Sequence, residues 1–208
     1  PLLRDLAATL RADADNAAHN LAARLAPWVA GSFSDLFDGP GTIRPEGHLV
    51  VWSLRHLPDE LRTVGTLLAL DHIWRQVDMP RGRDQASPTQ VQVRRMVVVD
   101  EAWLLMRDGE GAKFLFKMSK AGRKRNAGLT VITQDVADVL GTDLGQAVVA
   151  NAATQVLLKQ APQAIDAVAD AFGLTGGERR MLQSARIGHG LLISGTNRTA
   201  FESISCWT

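Results

Sequence analysis

Residues 97 to 103 read Val97-Val98-Val99-Asp100-Glu101-Ala102-Trp103, an apolar strand that ends in two adjacent carboxylates. Such a strand end suits a nucleotide site, where one acid joins the shell of a magnesium ion and the other polarises an attacking water. In that reading Asp100 holds the metal through water and Glu101 activates the nucleophile. Burying a carboxylate without partners is costly, so the strand should open onto a polar crevice. An acidic pair that merely caps the next helix is the competing reading, and the pair alone does not separate the two.

A second constellation shifts the balance. Gly122-Arg123-Lys124-Arg125-Asn126 precedes a strand that ends at Thr133-Gln134. Neighbouring strands of a parallel sheet point their carboxyl ends at one crevice. Gln134 can donate to a phosphate oxygen and accept from a water, which suits a sensor of a terminal phosphate. Arg123, Lys124 and Arg125 carry the positive charge that phosphoryl transfer needs as negative charge develops. The expectation is that acid, amide and cation surround one triphosphate tail. A solvated basic turn beside an ordinary exposed glutamine is the alternative.

The companion motif is missing. A phosphate-cradling loop needs Gly-Lys followed by Ser or Thr, and none of Lys113, Lys117, Lys120, Lys124 and Lys159 follows a glycine or precedes a hydroxyl residue. The chain therefore reads as the catalytic-carboxylate part of an ATPase whose phosphate loop lies upstream of Pro1. The absence of a methionine before the helical pattern at Leu2, Leu3, Leu6 and Leu10 points the same way, with a processed native start as the other reading.

The elements that must position these residues alternate. Residues 1 to about 30 are Ala- and Leu-rich with helical spacing, and Pro27 is the expected point of bending or division. Gly31 to Phe37 adds a short helical turn, and Asp38-Gly39-Pro40-Gly41 is a loop by composition. His48 to Leu54 reads as a buried strand. Pro58-Asp59-Glu60 then suits a helix first turn, and the helix runs to about Val77 with Leu61, Val64, Leu68, Ile73 and Trp74 facing the core. Met79 to Gln92 reads as a polar surface loop.

After the acidic strand the pattern predicts a helix from about Glu110 to Ala121, stopped by Gly122 as a C-terminal cap, and a strand over Leu129 to Thr133. Further on it predicts a helix near Leu144 to Ala150, a strand over Thr154 to Leu158, a helix from about Pro162 to Phe172 and a short helix around Glu178 to Ser184. Two closing strands, Gly190 to Ser194 and Thr199 to Ser205, turn at Gly195-Thr196-Asn197. Strands alternating with helices argue for an α/β fold, a mainly parallel sheet covered by helices with an antiparallel edge.

Composition narrows the class. The 208 residues are 46% hydrophobic, enough for a real core. A formal charge of +1, from 23 basic and 22 acidic residues, leaves nucleic-acid binding open but does not advertise it. The single cysteine, Cys206, cannot form an internal disulfide, fits a reducing compartment and reads as a small buried residue. No apolar run approaches the roughly 20 residues that span a bilayer, so membrane association would come through partners or other segments. His19, His48, His56, His72 and His189 lack metal-ligand spacing. Ser119, Ser184 and Ser194 lack a nucleophile-elbow context. Arg81, Arg83, Arg94 and Arg95 read as solvated rather than nucleic-acid-facing, and Trp103 and Phe114 as packing beneath the acidic strand.

The succession Val97 to Trp103, Gly122 to Asn126, Gly128 and Ile132-Thr133-Gln134-Asp135 resembles the VirB/TraC-type ATPases of type IV secretion and conjugation, within the HerA and FtsK superfamily of P-loop motors. Phe37-Asp38-Gly39, Val50 to Leu54 and Ile73-Trp74 resemble the segment before the acidic strand in that family. Asn151 to Thr154, Leu157 to Gln160 and Gly190 to Ile193 resemble the segment after it. The resemblance covers nearly the whole chain, least clearly at residues 80 to 93.

The resemblance implies a RecA-like domain lacking its phosphate-loop strand, with residues 1–40 as a small helical subdomain and 41–208 as the C-terminal part of the ATPase domain. It implies ATP and Mg2+ as cofactors, Asp100 as the magnesium-associated carboxylate, Glu101 as the catalytic glutamate and Gln134 as the sensor. Arg123 becomes the phosphate-facing arginine, with Lys124 or Arg125 as substitutes, acting within its own subunit or across an interface. The implied setting is a cytoplasmic homo-oligomer, a hexamer among the options, peripheral at the inner face of the cell membrane. There it would contact inner-membrane channel proteins and a coupling protein, and power channel assembly and substrate transfer. In such sheets the phosphate-loop strand lies between the sensor strand and the following one, so its absence would leave both without ladder partners, and this segment alone should be inactive. Two alternatives remain, a DNA-pumping translocase of the same superfamily and a non-catalytic docking module.

Overall fold

The structure is a computed structural model that describes residues 1–41, 45, 47–78, 94–107, 109–134 and 136–203. The expected polar loop over 79–92, with Arg81 and Arg83, lies outside the described residues, as do Asp135 and Cys206. The chain divides into two compact units, Pro1–Trp52 and Ser53–Thr208.

The first unit is helical: α1 (Leu3–Ala12), α2 (Asn16–Val29) and the single turn α3 (Ser34–Phe37). The division between α1 and α2 falls at Asp13 to Asp15 rather than at Pro27. Asp15 caps α2, its carboxylate accepting the Ala17 N–H at 2.9 Å, which satisfies a donor the helix itself leaves open. Pro27 is tolerated inside α2, and its carbonyl accepts the Phe33 N–H at 3.0 Å. Trp28 packs on Phe33 and Phe37 at 4.9 and 5.0 Å between ring centroids. Arg4 ties α1 to the end of α3 through the Asp38 carboxylate at 2.9 Å.

The expected strand over His48 to Leu54 does not form. Leu49 and Val51 are 83% and 77% exposed, and among the described residues no ladder involves this stretch. An apolar run becomes a strand only where a partner strand takes its backbone groups. The division between the two units falls within this stretch.

The second unit opens with α4 (Asp59–Asp78), with Asp59 and Glu60 in its first turn where the helix dipole favours negative charge. Leu61, Leu70 and Val77 are buried along it, whereas Leu68, an expected core position, is 55% exposed. Then come β1 (Arg95–Val99), α5 (Trp103–Arg107), α6 (Gly109–Ala121), a 3-10 turn (Gly122–Arg125) and β2 (Ala127–Val131). They are followed by α7 (Val136–Leu140), α8 (Asp143–Asn151), β3 (Thr154–Leu157), α9 (Ile165–Phe172), α10 (Gly176–Ser184), β4 (His189–Ser194) and β5 (Asn197–Glu202).

β1 and β2 pair in parallel, Arg95 opposite Ala127 through Val99 opposite Val131. Alternation along β1 sends Val97 into a core shared with Leu70, Phe114, Leu115 and Met118, while Met96 and Val98 are 73% and 55% exposed. The helices therefore cover one face of this pair. β3, β4 and β5 form a separate antiparallel sheet, over Leu157, Ile165, Val168 and Leu182. The expected α/β fold with a helix-covered parallel pair is present, while its strands lie in two sheets among the described residues, with the break between β2 and β3. That is the place where the missing phosphate-loop strand was expected to leave two neighbours unpaired.

A capping box joins the later elements. Glu178 accepts the Thr175 N–H at 2.7 Å, Thr175 Oγ1 accepts the Glu178 N–H, and Arg198 on β5 donates to Glu178 at 3.2 Å. The Thr175 N–H, more than the Thr175 hydroxyl or Arg198, holds the Glu178 carboxyl below its usual range against the opposing effect of burial. A carboxylate lowered in the fold adds stability above the unfolded-state value and loses it as pH falls through the folded-state value. Thr175→Ala is expected to cost about 1 kcal/mol of unfolding free energy in urea titration at neutral pH, with the deficit shrinking in acid.

Candidate active site

The carboxyl end of the parallel pair is extended by two backbone bonds beyond the strands. The Ile132 N–H donates to Val99 O and the Ala102 N–H to Ile132 O, both at 2.9 Å. They fix the turn at Asp100-Glu101-Ala102 against the segment leading to Gln134. Glu101 adopts φ +50°, a left-handed conformation that a non-glycine residue keeps only when its surroundings over-determine it. Here the Asp100 carboxylate accepts the Glu101 N–H at 2.9 Å, and Leu104 N–H bonds Glu101 O at 3.0 Å as α5 begins.

The result is a carboxylate gripped on both oxygens. Half-buried Glu101 receives the Trp103 indole N–H on Oε2 at 2.7 Å and the Gln134 amide on Oε1 at 2.5 Å. Asp100 and Gln134 are exposed at the same edge. Asp100, Glu101 and Gln134, expected together from strand direction, do meet. Trp103, expected only as packing, turns out to be a hydrogen-bond donor to the carboxylate.

The basic turn lies elsewhere. Asn126, at φ +53°, passes its carbonyl to the Arg95 N–H at 3.0 Å, so residues 122–126 sit at the amino end of the pair. The left-handed stop is Asn126 rather than the expected Gly122. Gly122 is needed for another reason: a Cβ there would lie 2.6 Å from Ala127 O. The five residues of β2 rise about 13 Å between the turn and the acidic edge. Within one chain, Arg123, Lys124 and Arg125 therefore do not share the crevice of Glu101 and Gln134. The reason is strand polarity, since residues that precede a strand occupy its amino end. Arg123 and Lys124 are exposed. Arg125 is engaged, paired with Asp78 at 2.5 Å and stacked 4.9 Å from the centre of Trp74, whose ring also takes Lys117 at 3.7 Å.

The acidic edge carries donor groups of the kind a magnesium ion takes together with water and phosphate oxygens. Magnesium keeps several waters and takes one or two carboxylates plus phosphate oxygens rather than an all-protein cage. Asp100 and Glu101 supply two adjacent carboxylates at this edge.

A parallel pair backed by helices on one face gathers adjacent acids and an amide at its carboxyl edge, where α/β sheets bind their ligands. Residues 89–189 match the family model of the TraG P-loop domain. Among solved structures, VirB4 of Thermoanaerobacter pseudethanolicus aligns with a TM-score of 0.78 at 26% identity, over 99% of this chain and 56% of that one. Comparison with curated proteins by sequence gives no match. The chain is thus similar to VirB4 and, over residues 89–189, to the TraG P-loop domain. It spans 56% of the VirB4 chain it matches. No described helix is long and apolar enough to cross a membrane.

Proposed function

We propose that this chain supplies the water-activating half of an ATP-hydrolysing motor that drives channel assembly and substrate transfer in type IV secretion or conjugation. The meeting of Glu101 and Gln134 at the carboxyl edge of β1 and β2 carries the reading. Glu101 orients and polarises the attacking water, and Gln134 reads the terminal phosphate. Asp100 contributes to holding Mg2+ through water, and bound Mg2+ supplies neutralisation of charge on the phosphate oxygens. Arg123, with Lys124 beside it, acts on the nucleotide of a neighbouring subunit, because its own acidic edge lies at the far end of β2. Arg125 anchors that turn to Asp78 and Trp74 rather than touching phosphate.

The proposed setting is a cytoplasmic homo-oligomer at the inner face of the membrane, in contact with channel proteins and a coupling protein. A phosphate-loop strand from another segment completes the sheet between β2 and β3, where the described strands part. Loss of hydrolysis with retained nucleotide binding in Glu101→Gln of the intact protein tests the catalytic reading. The need for the added strand has its own test. Titrated with a fluorescent ATP analogue, the 208-residue chain alone is expected to show no submillimolar, magnesium-dependent affinity. Tight binding would refute the idea that a phosphate loop must be added.

A further inference from the structure

The Glu101 carboxylate is held by two donors of different character. Gln134 reaches it from the neighbouring strand segment, across 33 residues of sequence, and is exposed. An amide has both a donor and an acceptor end, so it can release Oε1 and turn to a phosphate or a water. Trp103 is different. Its indole offers one N–H and no acceptor, its ring is half-buried at the start of α5, and the Arg107 guanidinium lies 5.8 Å from the ring centre. The left-handed turn at Glu101 brings the carboxylate over the indole two residues later. The indole has no proton-transfer role at neutral pH, and its N–H donates to the carboxylate fixed beside it.

We propose that Trp103 is a positioning residue for Glu101: its N–H pins Oε2, so that Oε1 alone exchanges between Gln134 in the resting state and the attacking water in the working state. The inference deepens the proposed catalytic role of Glu101 and rests on it. A carboxylate pinned at one oxygen presents the other in a fixed direction, and a general base depends on that direction as much as on its basicity.

The test uses the intact protein and steady-state ATP hydrolysis. Trp103→Phe keeps a ring for packing and for Arg107 but removes the donor. A hydrogen bond to a carboxylate has the strength to lower kcat about ten- to hundredfold, with KM for ATP and analogue affinity unchanged. A merely structural tryptophan would give wild-type kcat in Trp103→Phe, and that result overturns the inference. If the phenylalanine variant fails to fold, benzothienylalanine at position 103 preserves the bicyclic shape without the N–H and is read the same way. Glu101→Gln run in parallel separates the two levels. Full hydrolysis in Glu101→Gln removes the catalytic reading itself, whereas a dead Glu101→Gln beside a fully active donor-free variant removes only the role of Trp103.

Discussion

Glu101→Gln in the intact protein is expected to lower ATP turnover by about 10²- to 10⁴-fold, the range a positioned general base contributes. The substitution keeps the side chain's length and shape, so the local change is small and definable. The amide oxygen can still accept one of the two donors that hold the carboxylate, Trp103 at 2.7 Å or Gln134 at 2.5 Å. Its NH2 group then faces the other donor and that contact is lost. The site is half-buried at a solvent-facing edge, where local rearrangement is inexpensive. What disappears is the negative charge that draws a proton from water. Affinity for magnesium-ATP should stay within a few fold, because the phosphates are held chiefly by the loop, not by this carboxylate. Phosphate release under saturating ATP measures the first quantity and analogue titration the second. Wild-type turnover would leave the acidic pair as a helix cap and nothing more.

Much of this site was legible because it depends on local pattern and strand direction. Val97 to Val99 form a buried-exposed-half-buried run that ends at the acids, and Gln134 follows the next parallel strand in register. Two parallel neighbours bring their carboxyl ends together whatever the rest of the chain does. The grip of Trp103 on Glu101 was not legible in that way. It depends on a left-handed backbone at Glu101, and nothing in the residue type forecasts φ +50° for a glutamate. The only available signal was the placement of an indole two residues beyond the acid at a helix start.

Other departures share a cause. His48 to Leu54 has the residues of a buried strand but no ladder partner among the described strands. Local propensity therefore has no backbone bonds to convert into structure. The stop after α6 was assigned to Gly122 because glycine favours left-handed backbone, yet Asn126 takes that role and Gly122 is held by close approach to Ala127. The basic turn was legible in the same way. Its position before β2 assigns it to the amino end, which leaves action across a subunit contact as the one of the two expected modes that strand polarity permits.

Polarity also dictates how Arg123 must act if it acts at all. In the proposed oligomer, a head-to-tail contact between identical subunits would bring the amino end of one parallel pair to the carboxyl edge of the next. The turn is braced within its own chain. Arg125 is locked to Asp78 and stacked on Trp74, leaving Arg123 and Lys124 exposed. Arg123→Ala is expected to reduce turnover by about 10³-fold or more, the scale of an arginine supplied to a developing phosphoryl charge. Lys124→Ala should have the smaller effect, since an ammonium lacks the planar fork that engages phosphate. Mixing distinguishes the geometry. Oligomers reassembled from Arg123→Ala subunits, whose acids are intact, and Glu101→Gln subunits, whose arginine is intact, should regain hydrolysis that neither parent shows. The recovered activity comes from interfaces where the second kind offers its arginine to the first. If Arg123 served its own subunit, every subunit in the mixture would remain defective and no activity would return.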